Sequence, residues 1–438
     1  MNMPPSRTGR PRRTHPQRRP LPSGSRRPAW ARGRRRPRER PPRDWVAITA
    51  SSLPGLAAVI ALVFTGLQVH ATNGQLQATK NQLQIAEQGQ ITDRYNAAIA
   101  NLGSTSIDIR QGGIYALQRL MQDSPRDQPT VIAVLCAFAR EPTASNPKPQ
   151  ESSASSLPTD VQAALTVVGT RNTASDGRTT LIDLNHAPLA DAQLEYLRLT
   201  GADLSGADLA GTNLNYTQFA GANLTGAALA GADMIYTHLA DANLSGTNLT
   251  MAHLTSTDLT RADLSHVNLT GAVLAGANLT GASFFGANLT GAVLAGENLP
   301  YLSFATATLT GADVSGANLT HGYLIAAELA DVRFADADLS GADLTGADLT
   351  SADIRQAKLT GANLSYANLT GANLHAARLT GANATGANLA DADLYAARLT
   401  GANLTGANLT SASWPHGETV PEGWQRNPRS DRLVRAGH

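Results

Sequence analysis

The hydrophobic residues of this chain recur with an unusual period. From residue 184 to residue 409 every fifth position is Leu, Phe, Met, Val or Ile, apart from Ala384, and the residue two places earlier is most often Ala. An α-helix turns by about 500° over five residues, so this spacing would spread the leucines around all of its sides. In a flat strand an odd spacing sends successive leucines to opposite faces. The pattern therefore predicts a coil that turns a corner every five residues and points each Leu inward.

A second period of twenty residues overlies the first. Residues 375–394 read HAARLTGANATGANLADADL, and residues 395–409 begin the same phrase again as YAARLTGANLTGANL. The unit A-[DN]-L-[TS]-G resembles the pentapeptide-repeat family, whose consensus is A-[DN]-L-x-x. The resemblance implies a mainly β fold, a right-handed quadrilateral parallel β-helix in which four sides of five residues make one coil. Phe284 and Phe304, one coil apart, are then expected to stack inside it.

One stretch of the repeats departs from the pattern. Glu297 occupies a position that is small and inward elsewhere, and Pro300 follows it. Leu302 lies one coil away from Gly322. We expect a bulge that is relieved by packing the large side chain against the small one, with a recognition surface as the alternative.

The repeats are preceded by a different hydrophobic pattern. Residues 45–67 contain no charged residue over 23 positions. A helix of that length would be about 35 Å long, which is enough to span a bilayer core. The Pro54-Gly55 pair weakens this signal, and an export signal or a buried core helix are the alternatives. By the positive-inside rule, the arginines among residues 1–43 place the N-terminus in the cytoplasm and the repeats outside, so we predict a single-pass protein of the cell membrane.

Composition and periodicity divide the chain into segments. They are a disordered Arg/Pro-rich tail over 1–44, a transmembrane helix over 45–67, a helical stalk and helical pair over 71–140, a linker over 141–157, an N-terminal cap region over 158–183, the pentapeptide-repeat β-helix over 184–413, and a C-terminal cap and tail over 414–438. The fold is thus a solenoid preceded by a transmembrane helix and a small α-helical region.

The overall net charge of +1 hides a strong asymmetry. Residues 1–43 carry fifteen Arg and one Glu, whereas residues 181–410 carry twenty acidic residues against seven basic ones, a net charge of −13. The tail and the repeats are therefore separate modules. Cys136 is the only cysteine, which excludes an intrachain disulfide. Because it lies in an apolar helical stripe, we expect a packed thiol.

The sequence contains no constellation typical of an enzyme. It has no phosphate loop, no nucleophile elbow with triad partners, and no Cys/His cluster at metal-ligand spacing. The histidines of the repeats fall on different sides when their positions are compared at intervals of twenty. We therefore expect no enzymatic activity, no cofactor and no metal site.

The outward positions of the repeats contain one recurrent group of cations. Three of them are spaced twenty residues apart, and a second column runs beside them. The candidate binding patch comprises Arg355, Lys358, His375, Arg378, Tyr395 and Arg398. Duplication of one coil explains this recurrence without any function. Alternatively, the patch binds an anionic partner such as a phosphate, a lipid head group or an acidic protein.

These features predict a membrane-anchored, non-enzymatic protein that presents a rigid rod as a binding or scaffold surface. Its partner is expected to be a protein or an anionic ligand rather than a nucleic acid, and the juxtamembrane helix is a candidate contact for a homo-oligomer. Residues 84–140 also resemble the region before pentapeptide repeats in membrane proteins of actinobacteria. Some pentapeptide-repeat proteins modulate type II topoisomerases by mimicking DNA, which is the alternative function for so acidic a rod.

Overall fold

The computed structural model describes residues 45–141, 157–177 and 180–437. The predicted tail over 1–44 and most of the predicted linker lie outside the described residues. The chain divides into two compact units, Met1–Asn81 and Gln82–His438.

The first helix, α1, begins at Trp45 and ends at Leu102. It contains an apolar window of 18 residues with a mean hydropathy of 1.6, none of which is buried, and among the described residues it is the one helix long and apolar enough to cross a membrane. The predicted spanning helix and the predicted stalk are parts of one continuous helix. Its interior glycines, such as Gly66 and Gly74, do not end it, since each costs only about 1 kcal/mol in a helix.

Three further helices belong to the second unit: α2 (Ile107–Asp123), α3 (Gln128–Arg140) and α4 (Thr159–Gly169). Pro129 lies in the first turn of α3, where its missing N–H costs no hydrogen bond. A side chain at Gly113 would come within 2.8 Å of the Ala98 carbonyl oxygen, so glycine allows α2 to approach α1 closely. A buried ion pair joins α2 to α4, with Arg110 Nε 2.5 Å from Asp160 Oδ2.

The repeats form the right-handed β-helix that their sequence predicts. Every fifth residue from His186 to Ser411 has a positive φ, and the adjacent turn is closed by a backbone bond such as that from Ala207 N to Leu204 O, 3.0 Å long. Residues twenty apart form parallel bridges, beginning with Asp183 and Asp203. Each coil therefore has four corners, and its sides lie in register with those of the next coil. We call residues 184–413 the rod.

The interior of the rod is filled by two kinds of side chain. The central leucines and the alanines two places before them are almost completely buried. Where Thr replaces Ala, its hydroxyl donates to a backbone carbonyl, as Thr217 Oγ1 does to Leu194 O at 2.7 Å. The predicted stacking of Phe284 on Phe304 is confirmed, with ring centroids 5.1 Å apart and planes 12° from parallel. The core is thus apolar apart from Glu297, and the hydroxyls of its buried threonines are satisfied.

Both ends of the rod are covered, which protects the open edges of the terminal coils. At the first end Arg198 N donates to Gly169 O, the last residue of α4, at 2.9 Å. At the other end Ser411 N donates to Leu433 O at 2.8 Å. Leu433 begins β2 (Leu433–Arg435), which pairs antiparallel with β1 (Trp424–Arg426). Trp414 occupies the next inward position and is buried.

The backbone ladder of the rod is interrupted at Glu297. In the described repeats, the parallel bridge expected between Asn278 and Asn298 is not formed. The Glu297 side chain is instead buried in the rod, and its Oε1 accepts a hydrogen bond from Gly276 N at 2.5 Å. An oxygen of the Glu297 carboxyl group has thus replaced a backbone carbonyl as acceptor, and we call this place the seam.

The neighbouring irregularities are milder. Tyr301 and His321 share an outward column as expected, with ring centroids 5.2 Å apart. At Gly322 an added side chain would come within 3.0 Å of the Leu319 carbonyl oxygen, a tight contact at an inward position that alanine occupies on most other sides. The rod therefore absorbs the irregular stretch without losing its register.

The seam should make stability depend on pH. Burial raises the pKa of Glu297, so the folded rod favours the protonated form more than the unfolded chain does. A raised folded pKa contributes stability that is fully present below the unfolded pKa of about 4.5 and is lost as the pH rises through the folded pKa. The wild type should lose this stability as the pH rises, whereas Glu297→Gln, which cannot ionise, should not. We therefore expect the Tm of Glu297→Gln minus that of the wild type, measured by calorimetry, to increase between pH 4 and pH 8. A Tm difference that does not change with pH would contradict this assignment.

Candidate binding surface

The structure brings the predicted cations into a column. Lys358 forms a parallel backbone bridge with Arg378, and Arg378 forms one with Arg398, so each pair lies one coil apart. All three residues are exposed. Each occupies the middle of a side, between an inward Ala and an inward Leu, so the pleat directs its side chain outward. Three cationic side chains therefore project in a row along one face of the rod.

The second column of the patch runs beside the first. It comprises Arg355, His375 and Tyr395, and the rings of His375 and Tyr395 stack with centroids 5.4 Å apart and planes 16° from parallel. The stack continues with the edge of His416, whose ring centroid is 5.8 Å from that of Tyr395. We call these two columns together the basic corner, because only corner residues such as Ala376 separate them.

The first two cations of the basic corner are neutralised. Arg355 donates to both oxygens of Asp353 at 2.7 Å, and Lys358 Nζ lies 3.1 Å from Asp338 Oδ2. The hydrogen bond from Arg355 lowers the pKa of Asp353. Burial alone would raise the pKa of Asp338, but hydrogen bonds from Ser340 and Lys358 outweigh that effect and lower it. These carboxylates are therefore ionised at neutral pH.

The remaining two cations differ from these. Within the part of the chain that the structure describes, neither Arg378 nor Arg398 has a carboxylate within ion-pair distance. Elsewhere in the basic corner, His375 Nδ1 lies 4.0 Å from Asp393 Oδ2. The positive charge of the basic corner is thus concentrated on two guanidinium groups in successive coils.

Sequence reasoning missed a further outward column, nearer the first end of the rod. Tyr196, Tyr216 and Tyr236 occupy corners, at φ of 61°, 59° and 55°, and their rings stack with centroids 4.8 and 5.2 Å apart. We call these three residues the tyrosine ladder. A positive φ destabilises a residue other than glycine by on the order of 1 kcal/mol, and stacking of aromatic rings stabilises by about the same amount. The interval of twenty residues was visible in the sequence and would have revealed it.

The lone thiol belongs to the helical region and not to the basic corner or the tyrosine ladder. Cys136 is buried in α3, and burial raises its pKa to about 12. Among the residues that the structure describes, no group of three or more His, Cys, Asp or Glu side chains is arranged to hold a metal ion. The outward columns of the rod are therefore the surfaces on which function can be sought.

Comparison with known families identifies the repeats. A family model described as pentapeptide repeats matches the chain in eight copies that together extend from residue 187 to residue 413. Their bounds are 187–226, 222–261, 257–296, 287–324, 327–365, 357–394, 367–406 and 387–413. No curated protein sequence matches the chain significantly.

Several solved structures are similar to the chain. HetL, a pentapeptide repeat protein involved in heterocyst differentiation regulation from Nostoc sp. strain PCC 7120, is 32% identical over 56% of this chain and 94% of HetL, with a TM-score of 0.24. A pentapeptide repeat protein from the Arabidopsis thaliana thylakoid lumen is 33% identical over 23% of this chain and 65% of that protein, with a TM-score of 0.19. QnrB1, a plasmid-mediated fluoroquinolone resistance protein, is 23% identical over 41% of this chain and 87% of QnrB1, with a TM-score of 0.22.

The buried thiol gives a simple test of the helical region. With a pKa of about 12, Cys136 is a thiol rather than a thiolate at pH 8, and its position in the core blocks access. We expect the folded protein to leave a disulfide reagent such as DTNB unreacted at pH 8 and to react with one equivalent in denaturant. The absorbance of the released thiolate measures both values. Rapid reaction of the folded protein would contradict the packing of α3.

Proposed function

This chain belongs to the pentapeptide-repeat family, and we propose that it is a membrane-anchored, non-enzymatic protein that presents its β-helical rod as a binding surface. The observation that carries the proposal is the pair of unneutralised arginines, Arg378 and Arg398, on a rod that is otherwise acidic. Membrane anchoring rests separately on the apolar part of α1.

The side chains of α1 support the anchor. Leu62, Phe64 and Leu67 are 73%, 67% and 63% exposed. Transfer of each such side chain from water to hydrocarbon is worth about 1.5–3 kcal/mol, so a bilayer stabilises this surface. The arginines of residues 1–43 favour a cytoplasmic N-terminus and a rod on the outer side.

The basic corner supports an anionic partner, and we assign it an acidic segment of another protein. A guanidinium group can donate two parallel hydrogen bonds to a carboxylate, which makes arginine suited to such recognition. Simple duplication of a coil accounts less well for the charges. The cations recur from coil to coil, whereas the carboxylates that neutralise them, Asp338 and Asp353, are not repeated beside Arg378.

A second candidate function is modulation of a type II topoisomerase by mimicry of DNA. The net charge of −13 over residues 181–410 favours it. The membrane anchor argues against it, because an outward rod would be separated from any cytoplasmic enzyme. The side of the membrane that carries the rod therefore decides between the two functions.

A new thiol on the rod unit tests that topology. Ser430 is exposed in the turn between β1 and β2, so Ser430→Cys should react readily, whereas the buried Cys136 should stay silent. We expect a membrane-impermeant maleimide to label the variant in intact cells and to leave the wild type unlabelled. Labelling only after lysis would place the rod in the cytoplasm and make a gyrase assay the next experiment. Recovery of the protein in the soluble fraction would overturn the anchor itself.

The basic corner can be tested with poly-L-glutamate as the acidic probe. We expect the double variant Arg378→Gln, Arg398→Gln of the full-length protein to bind it about tenfold more weakly, because two charge-assisted hydrogen-bonding groups are lost. Added salt should weaken binding by the wild type. Titration calorimetry in detergent measures the affinity.

Arg261→Gln is the matched control. Arg261 is also exposed, but it is already paired with both oxygens of Asp241. Its substitution should leave the affinity for poly-L-glutamate unchanged. An equal loss in the control, or no loss in the double variant, would remove the basic corner as the binding surface.

A further inference from the structure

The tyrosine ladder has an open end. Tyr196 is its first ring, stacked on Tyr216 with planes 8° from parallel, and it remains 64% exposed. The rod begins at residue 184, so no full coil precedes the one that carries Tyr196, and among the described residues Tyr216 is the one aromatic ring stacked on it. A groove of about 800 Å³ lies here. It offers a flat aromatic platform to a ligand.

Polar groups border this platform. Arg198, Gln218 and His238 form a column beside the ladder through parallel bridges between successive coils. Gln218 Nε2 lies 3.1 Å from His238 Nδ1, and the hydroxyl-bearing residues Thr173 and Thr200 also line the groove. The groove therefore combines aromatic rings with amide, imidazole and hydroxyl groups.

The groove carries little net charge. Arg171 and Asp176 both line it, but they neutralise each other with Arg171 Nη2 2.9 Å from Asp176 Oδ2. Another nitrogen of Arg171 is occupied by the carbonyl oxygens of Val168 and Arg198. One guanidinium, that of Arg198, remains among uncharged donors and acceptors. Such a lining suits a neutral polar ligand better than a strongly charged one.

A second groove lies beside the first. It has a volume of about 530 Å³ and shares Arg171 and Arg198 with the groove at the ladder. Its other polar residues include the amides Gln118, Gln122 and Asn172. We call the two grooves together the furrow, which has room for an extended chain rather than a single small molecule.

We propose that the furrow binds a neutral glycan chain, with one sugar ring stacked on the open face of Tyr196. A pyranose presents an apolar face of C–H groups and a rim of hydroxyls, which matches an aromatic platform bordered by amides. The hydroxyls bond to Gln218, His238 and Arg198. This assignment is independent of the anionic partner at the basic corner.

A proline-rich peptide is the rival occupant, since such segments also dock in aromatic-lined grooves. Each proline offers only a carbonyl acceptor, whereas a sugar hydroxyl both donates and accepts. The furrow presents donors and acceptors together, in the side chains of Thr200 and Gln218 and in the ring of His238. A glycan can therefore form hydrogen bonds with more of the groups that line the furrow than a proline-rich peptide can.

The test uses the full-length protein in a detergent without a sugar head group, titrated calorimetrically with cellohexaose, maltohexaose, chitohexaose, mannohexaose and xylohexaose, and with decaproline. We expect at least one hexaose to bind. Tyr196→Gly should weaken that binding about tenfold. Glycine favours the positive φ of this corner, so the variant keeps its fold. Gln218→Ala should weaken binding separately while leaving the stacked rings in place.

Tyr366→Gly is the matched control, because Tyr366 is an equally exposed corner tyrosine, at φ of 60°, that lies outside the ladder. Its affinity for the hexaose should equal that of the wild type. The proposal is overturned if no hexaose binds at millimolar concentration, if Tyr366→Gly loses as much affinity as Tyr196→Gly, or if decaproline alone binds.

Discussion

The vertical hydrogen bonds between coils fix everything else in the rod. Each side donates from its backbone to the side twenty residues later, as Leu204 N does to Asn223 O at 2.7 Å. This register places like positions above one another, so Leu stacks on Leu inside and each outward residue type forms a column. Any side chain that recurs after twenty residues thereby becomes a continuous surface feature. The basic corner and the tyrosine ladder are both products of this single constraint.

Corners give the rod its chemical variety. A side chain in the interior must be small or apolar, whereas a corner requires only a positive φ, which many residues accept at modest cost. The corner that carries Tyr196 also carries Ala376 and Ala396 further along the chain, because these positions differ by multiples of twenty. The tyrosine ladder and the basic corner therefore lie along the same edge of one solenoid, near its opposite ends.

Much of this architecture was predictable from the sequence, because periodicity determines which residues point inward and which lie in one column. The Phe284–Phe304 stack followed from their spacing of twenty residues together with the four-sided coil that the family resemblance implied. The ion pairs of Arg355 and Lys358 did not, since they depend on the side-chain conformations of neighbouring carboxylates. Nor could the pattern show that Glu297 replaces a carbonyl as the acceptor for Gly276, because this requires a local opening of the ladder.

The four-sided coil also limits how such a chain can change in length. Insertion of one pentapeptide rotates every later residue by a quarter turn about the axis, and the core still accepts it because every side has the same inward pattern. The surface does not, since the insertion would move the basic corner to a different face from the tyrosine ladder. Insertion of four pentapeptides restores the alignment and only lengthens the spacing. A protein whose function requires both surfaces on one edge can therefore lengthen in evolution only by whole coils of twenty residues. One that requires only the rod can also lengthen by single pentapeptides.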